Sequence, residues 1–268
     1  MSVVESVPAA TVMAADTANH FGDASYGGLY PHIVKAGEGS KHMGPHDVVA
    51  HTFFIAQNTM IAFTMFFFLE RWSVPKQWQT SMTLAGMVTG IAAWNYGFMF
   101  STWIELQTSP TVYRYTDWLI TVPLLILEFY CVLKATTRCS ESVFWRLLVA
   151  SIVMLLGGYV GECGLVAAAP AFIVGMLGWL YILFEVFTGE CANLSAKSGN
   201  AAGIRAFNTL RFLVAVGWAI YPIGYLCRGM SYEAVNITYN IADLINKGFF
   251  GLAVWAAAKE DEKSGRLM

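Results

Sequence analysis

Charged residues are scarce in this sequence. Only 13% of its 268 residues are Asp, Glu, Lys or Arg, whereas soluble globular domains carry about 25%. Hydrophobic residues make up 56% of the chain. This balance excludes an ordinary soluble domain and indicates a chain that lies largely in lipid. The net charge of −2 and the lack of a basic run argue against a nucleic-acid partner.

The sequence also lacks the patterns of a metal site, a disulfide framework and a cleavable leader. Its five cysteines, at positions 131, 139, 163, 191 and 227, show no CxxC spacing. Residues 1–46 contain no basic segment followed by an apolar one, so no cleavable signal peptide is expected. No segment outside the apolar runs is large enough to form a catalytic domain, which makes a conventional enzyme the least favoured class.

Long apolar runs are what the sequence has in abundance. A helix needs about 20 apolar residues to cross a bilayer. Seven runs meet this length, at about 47–70, 80–105, 110–133, 143–165, 168–188, 203–228 and 232–257. Barrel strands would instead show alternating segments of about 10 residues. The runs predict an all-α membrane protein with a seven-helix bundle over 47–258, a tail over 1–46 and a second tail over 259–268.

The distribution of basic residues predicts the orientation of this bundle. One side carries Arg71, Lys76, Lys134, Arg138, Arg146, Lys197, Arg205, Arg211, Lys259, Lys263 and Arg266, and the other carries Lys35, Lys41 and Arg228. Cytoplasmic loops of membrane proteins hold the excess of Lys and Arg. We therefore expect an extracellular N-terminus and a cytoplasmic C-terminus. Arg114 and Lys247 are left inside spans and need a separate explanation.

The third span carries a polar stripe. Arg114, Asp117, Thr121 and Glu128 are separated by three, four and seven residues, which places them on nearly one face of a helix. Ionisable residues inside a membrane usually mark a proton or ion pathway. A structural ion pair between Arg114 and Asp117 is the simpler alternative, but it does not account for Glu128. That carboxyl group has no obvious cationic partner and suits a proton donor.

The seventh span contains a lysine. Asp243 precedes Lys247 by one helical turn and is its natural counter-ion. A buried lysine is suited to forming a Schiff base with an aldehyde, although an internal salt bridge of a transporter fits the spacing equally well. Aromatic residues in the middle of other spans could form a slot for a flat polyene beside it; they are Trp118, Trp179, Trp218 and Tyr221.

Three segments together resemble one family. RYTDWLITVPLLILEFY (114–130), GWAIYPIGY (217–225) and YNIADLINKGFFGL (239–252) are similar to the microbial rhodopsins, and in particular to the proteorhodopsin group of light-driven proton pumps. The resemblance extends over all seven spans and leaves out only the N-terminal tail.

The resemblance implies all-trans retinal bound to Lys247 as a protonated Schiff base. Asp117 and Asp243 would be its counter-ions, with Asp117 as proton acceptor, Glu128 as cytoplasmic donor, Arg114 tuning the carboxylates and Thr121 completing the Asp-Thr-Glu triplet. The positions that match the retinal pocket are Trp118, Leu125, Met154, Gly158, Gly175, Trp179, Trp218 and Tyr221. Leucine at position 125 corresponds to green rather than blue absorption.

The sequence departs from this group at several positions. Asn95 stands where this group usually has a second-helix histidine that contacts the proton acceptor, here Asp117. Phe54 stands at a first-helix position that is often tryptophan. Val235 stands where archaeal pumps have a release glutamate, so release is expected through another acid, with Glu105, Glu162 and Glu233 as candidates. Phe172 fills the site that is glycine in carotenoid-binding relatives, and no antenna pigment is expected.

Two alternatives to a pump remain at this stage. A sensory rhodopsin would agree with the missing histidine and the tail, but sensory relatives commonly lack a donor such as Glu128. A light-gated channel would need a more polar second helix. We further expect a homo-oligomer, from trimer to hexamer, in the plasma membrane or an endomembrane of a eukaryotic host.

The replacement of histidine by Asn95 leads to a first prediction. Asparagine cannot titrate and can only form hydrogen bonds. The pH midpoint of the visible absorbance change that reports protonation of Asp117 should therefore differ from that of histidine-bearing relatives. An absorbance titration in the dark and under illumination measures this midpoint, and a curve superimposable on the relatives' would contradict the prediction.

Overall fold

The computed structural model describes residues 42–226 and 231–266. Within these ranges the helices are α1 (Val48–Glu70), α2 (Gln79–Leu106), α3 (Thr111–Thr136), α4 (Glu141–Glu162), α5 (Ala168–Phe187), α6 (Glu190–Lys197), α7 (Ala201–Phe212), α8 (Ile220–Leu226), α9 (Tyr232–Asp243) and α10 (Phe250–Arg266). Helices α1 to α5 are the first five spans. The sixth span joins α7 to α8, and the seventh joins α9 to α10. The tail up to residue 41, together with Cys227 and Arg228, lies outside the described residues.

The predicted seven-helix bundle is confirmed. Six of the spans are long and apolar enough to cross a membrane. The remaining one, α2, is equally long but contains more Ser, Thr and Gly residues. The described part of the chain contains no β-strand. We call the side of the bundle where α1 begins the amino end, and the side where α1 ends the carboxyl end.

Several helix boundaries differ from the predicted ones. Helix α4 begins at Glu141 because the Ser140 side chain caps it by accepting a hydrogen bond from the Ser142 amide at 3.2 Å. The same helix ends at Glu162, since Gly164 turns the chain with a φ of +70°. The sequence pattern did not predict the short helix α6, and α10 continues past the apolar run to Arg266.

Two π-helical turns interrupt the sixth and seventh spans, over Leu213–Gly217 and Leu244–Phe249. Such turns often occur at functional sites. The two turns contact each other, because the Asn246 side chain donates a hydrogen bond to the Gly217 carbonyl at 3.0 Å. A Cβ atom on Gly217 would collide with this asparagine. The contact fixes the helical turn that carries Lys247.

Helices α4 and α5 approach each other closely through glycines. A Cβ atom on Gly157 would lie 2.6 Å from the Gly175 amide nitrogen, and one on Gly178 would lie 2.6 Å from the Ala150 carbonyl oxygen. In membranes, small residues at such interfaces allow the backbones to pack directly. This contact places Gly175 of α5 beside α4.

The contact predicts a strong effect of one methyl group. Gly178→Ala should force α4 and α5 apart and destabilise the protein by about 1–3 kcal/mol, because the obstacle is backbone. Thermal unfolding followed by circular dichroism measures the change. Gly265→Ala, at a helical site with no atom within 4 Å of the new Cβ, is the control and should not lower the melting temperature. Equal melting temperatures for both variants would contradict the prediction.

Candidate functional site

The centre of the site is a buried amine between two carboxylates. The Lys247 Nζ atom lies 2.7 Å from Asp117 Oδ2 and 2.9 Å from Asp243 Oδ2. The lysine side chain is 3% exposed and both aspartate side chains are 0% exposed. The third and seventh spans are thereby joined. Removing one partner of such a buried group leaves an uncompensated charge, which is strongly destabilising.

The two carboxylates have different surroundings. Asp243 accepts hydrogen bonds from Tyr221 Oη at 2.5 Å, Tyr96 Oη at 3.1 Å and Trp118 Nε1 at 3.2 Å. Asp117 contacts the amine through Oδ2, while its buried Oδ1 has no hydrogen-bond partner among the described residues. Both oxygens of the Asp243 carboxylate therefore accept hydrogen bonds from side chains, whereas one oxygen of Asp117 is free to take a proton.

Arg114 lies on the amino-end side of these carboxylates. Its Nη2 atom donates to Asn236 Oδ1 at 2.9 Å and Asn240 Oδ1 at 2.7 Å. The buried guanidinium also lies over the rings of Phe53 and Tyr239, at 5.3 and 5.4 Å from their centroids. Asparagines of the seventh span thus hold this side chain.

The direct ion pair considered between Arg114 and Asp117 is absent. No ion pair within 4.0 Å joins the two among the described residues, because the arginine extends toward the asparagines of α9. The Thr121 hydroxyl donates a hydrogen bond to the Asp117 main-chain carbonyl at 2.9 Å. The arginine can act on the carboxylates only through its field.

Glu128 is isolated in an apolar environment. Its side chain is 0% exposed, and neither carboxyl oxygen has a hydrogen-bond partner in the described part of the chain. It lies on the stripe that contains Asp117, about 16 Å along the helix axis toward the carboxyl end. No cationic side chain of the described residues is hydrogen-bonded to this carboxyl group.

One cavity extends from the lysine between the third to seventh spans. Every predicted pocket residue lines it, namely Lys247, Trp118, Leu125, Met154, Gly158, Gly175, Trp179, Trp218 and Tyr221. A Cβ atom on Gly158 would lie 2.6 Å from Tyr115 Oη, so this glycine keeps the cavity open. A mostly apolar, aromatic slot with an amine at one end fits a flat polyene aldehyde such as retinal.

Some residues of the site did not emerge from the sequence. Tyr115 and Val122 line the cavity, and their positions three before and four after Trp118 on the same helix could have indicated them. Further lining residues are Leu155, Glu162, Phe172, Met176, Pro222, Tyr225, Tyr239 and Asn246. Tyr96 bonds Asp243 from the second span, and no local pattern in the sequence indicated this contact.

The positions that depart from the proteorhodopsin pattern make local contacts with their neighbours. Asn95 is buried and donates to the Ile91 carbonyl of its own helix at 3.0 Å. Phe54 packs against Phe100, with ring centroids 5.9 Å apart. Phe172 stacks on Tyr225 at 5.1 Å and lines the cavity. The candidate release acids are dispersed: Glu105 and Glu233 are exposed, and Glu162 borders the cavity.

Comparison with known proteins agrees with this geometry. The family model described as bacteriorhodopsin-like protein matches residues 47–260. A green-light absorbing proteorhodopsin of Gamma-proteobacterium EBAC31A08 is 44% identical over 231 residues, which cover 84% of this chain and 92% of that protein. A blue-light absorbing proteorhodopsin of Gamma-proteobacterium Hot 75m4 is 42% identical over 224 residues, covering 81% and 89% respectively.

A solved structure shows the same fold. The crystal structure of blue light-absorbing proteorhodopsin from Med12 is 51% identical, has a TM-score of 0.71, and covers 80% of this chain and 100% of that one. The residues matched by the family model, 47–260, include the spans that contribute Asp117, Glu128 and Lys247. The chain belongs to the bacteriorhodopsin-like protein family.

Proposed function

We propose that this protein is a light-driven outward proton pump that uses retinal bound to Lys247. The observation that carries the proposal is the buried amine of Lys247 between Asp117 and Asp243 at one end of an apolar cavity. A further acid, Glu128, lies along the same helix as Asp117 and has no hydrogen-bond partner among the described residues. The similar proteins named above are proteorhodopsins, which are light-driven ion transporters rather than enzymes.

The cavity residues would hold the chromophore. Trp118, Trp179, Trp218 and Tyr221 supply flat surfaces, while Gly158 and Gly175 leave room beside them. Leu125, which is 2% exposed and lines the cavity, is proposed to favour green absorption, and Met154 completes the wall. When bound as a Schiff base, retinal supplies a light-driven isomerisation that changes the proton affinity and the accessibility of the Lys247 nitrogen.

Asp117 would accept the first proton from the Lys247 nitrogen. The Lys247 amine and the Asp117 carboxylate lie within hydrogen-bond distance in the structure, so Asp117 is positioned as the acceptor. Asp243 keeps its charge because three side-chain hydroxyl and indole donors hold it. Arg114 stabilises negative charge in this region through its field, and Thr121 fixes the turn of α3 that carries the acceptor.

Glu128 returns a proton to the nitrogen from the other side. A carboxyl group in an apolar pocket without a cation keeps its proton until a base appears nearby. Acids on both sides of the lysine make the transfer directional. A sensor would not need this second acid, so Glu128 favours a pump over the sensory alternative.

The distribution of basic side chains supports the proposed direction. Those of the described residues cluster at the carboxyl end of the bundle, at Arg71, Lys76, Lys134, Arg138, Arg146, Lys197, Arg205, Lys259 and Lys263. By the positive-inside rule this end faces the cytoplasm. Asp117 then lies on the extracellular side, and residues 1–46 and 259–268 are an extracellular and a cytoplasmic tail around a membrane domain over 47–258.

The protein is an integral, multi-pass membrane protein. A homo-oligomer of three to six copies remains part of the proposal. A eukaryotic plasma membrane or endomembrane is also proposed as the location, whereas the two proteorhodopsins compared come from gamma-proteobacteria.

The pump makes a prediction about proton flux. Illuminated cells or vesicles containing the protein and retinal should acidify the outer medium, and a protonophore should abolish the signal. Lys247→Ala should remove both the visible absorbance and the flux, whereas Lys263→Ala, at an exposed lysine of α10, should retain both. Colour and a slow photocycle without any proton flux would favour the sensory alternative.

The donor role of Glu128 has its own test. Glu128→Gln should slow return of the proton to the Lys247 nitrogen by about a hundredfold and make it depend on the pH of the medium, because the internal acid is lost. Flash spectroscopy resolves this step. Glu141→Gln, at an exposed acid on the same end of the bundle, should leave the rate unchanged. An unchanged rate in Glu128→Gln would remove this residue from the donor role.

A further inference from the structure

The cavity beside Lys247 contains a tyrosine hydroxyl without a hydrogen-bond partner in the described part of the chain. Four tyrosines line this cavity. Tyr221 donates to the Asp243 carboxylate, and Tyr225 and Tyr239 each donate to a main-chain carbonyl at 3.0 and 3.2 Å. The fourth, Tyr115, is 5% exposed, and no hydrogen bond joins its hydroxyl to another described residue. Buried tyrosine hydroxyls usually have a partner, so this one indicates a ligand group.

The Tyr115 hydroxyl lies on the side of the cavity that is remote from the amine. On α3, Tyr115 lies about 160° around the helix axis from Asp117, and Trp118 lies between them. Asp117 contacts the amine. A Cβ atom on Gly158 of α4 would lie 2.6 Å from Tyr115 Oη, and Gly158 also lines the cavity. The hydroxyl is therefore directed toward α4, away from the contact between Asp117 and the amine.

A carboxylate borders the cavity on the same side. Glu162 is the last residue of α4, one helical turn after Gly158, and it lines the cavity. Its charge acts on the Tyr115 phenol, which makes the two groups neighbours. A phenol hydroxyl can donate and accept a hydrogen bond, and a carboxylate can accept one. The remote end of the cavity thus offers both a donor and an acceptor to a ligand.

Retinal presents only hydrocarbon to this end. Its aldehyde is the group that reacts with Lys247, and the ring at the opposite end of its polyene contains only carbon and hydrogen. Covering the Tyr115 hydroxyl with such a ring would leave that hydroxyl buried without a partner, which is unfavourable. A hydroxyl group on the ring could instead accept a hydrogen bond from Tyr115 and donate one to Glu162.

We propose that the cavity selects retinal that carries a hydroxyl group on its ring, and that Tyr115 and Glu162 recognise this group. The proposal rests on the proposed function, because it names the class of chromophore that Lys247 binds. Retinal without the hydroxyl binds too, but less tightly. Both aldehydes bond to Lys247 in the same way, so the selection depends only on the ring.

A competition experiment on the full-length protein, prepared without retinal, tests this selection. All-trans-retinal is mixed in equal amount with all-trans-3-hydroxyretinal or with all-trans-4-hydroxyretinal, and the bound chromophores are extracted and quantified by chromatography. At least one hydroxylated form should be bound about fivefold more than retinal, the factor expected for one additional hydrogen bond. Equal binding of retinal and both hydroxylated forms overturns the proposal, since water would then satisfy Tyr115 equally well.

Variants that remove single polar groups locate the recognition. Tyr115→Phe deletes only the hydroxyl and should bring the ratio of bound chromophores to about one, while retinal still binds. Glu162→Gln keeps an acceptor but removes its charge, and should lower the ratio about twofold. Tyr159→Phe is the matched control, because its ring packs against Tyr115 with centroids 5.4 Å apart but is not among the cavity-lining residues. It should keep the ratio of the original protein.

The ratio separates recognition from stability. A variant that merely loosens the protein binds both chromophores less well and leaves their ratio unchanged. An unchanged ratio in Tyr115→Phe overturns the proposal, as does an equal loss of preference in Tyr159→Phe. Colour with retinal but no preference for a hydroxylated form overturns only the ring recognition, whereas absence of colour with every aldehyde overturns the proposed function.

Discussion

A positive amine inside a membrane is stable only beside negative charge, and the structure is organised around this requirement. The contacts of Lys247 with Asp117 and Asp243 bind the seventh span to the third, at 2.7 and 2.9 Å. Desolvating three ionisable groups is costly unless their geometry is good and their remaining positions are hydrogen-bonded. Tyr96, Trp118 and Tyr221 supply those bonds to Asp243. The bundle thereby holds one fully satisfied carboxylate and one that is only partly satisfied.

This inequality connects packing to function. If both carboxylates were equally well hydrogen-bonded, neither would be the preferred acceptor of a proton. Among the described residues, one Asp117 oxygen has no hydrogen-bond partner. The next acid on the stripe, Glu128, lies about 16 Å further along the helix. The π turns at Gly217 and Lys247, joined through Asn246, keep the amine in register with the cavity. Close packing of α4 and α5 at their glycines shapes the wall of that cavity at Gly158 and Gly175.

Much of the fold and part of the site could be predicted because lipid imposes a strong one-dimensional signal. A membrane span must be about 20 residues long, so the seven helices can be predicted from the apolar runs. A charged residue inside a span is costly and usually functional, so Arg114, Asp117, Glu128 and Lys247 can be identified from the sequence. The alternative interpretation, a direct ion pair between Arg114 and Asp117, was wrong. Helical spacing shows that two residues share a face but does not give the direction of a long side chain. Helix α6 was missed because it is only eight residues long and polar on average, so it lies outside the long apolar runs from which the helices were predicted.

The sequence by itself determined that the chain spans a membrane as seven helices, which ionisable groups lie inside it, and which family it resembles. Only the tertiary structure decided which partners those groups have. Arg114 bonds Asn236 and Asn240, Tyr96 bonds Asp243, and Asp261 joins Asn200 to Trp78. The physical reason is range: burial in lipid acts on each residue along the chain, whereas a hydrogen bond depends on a few tenths of an ångström between helices that are distant in sequence.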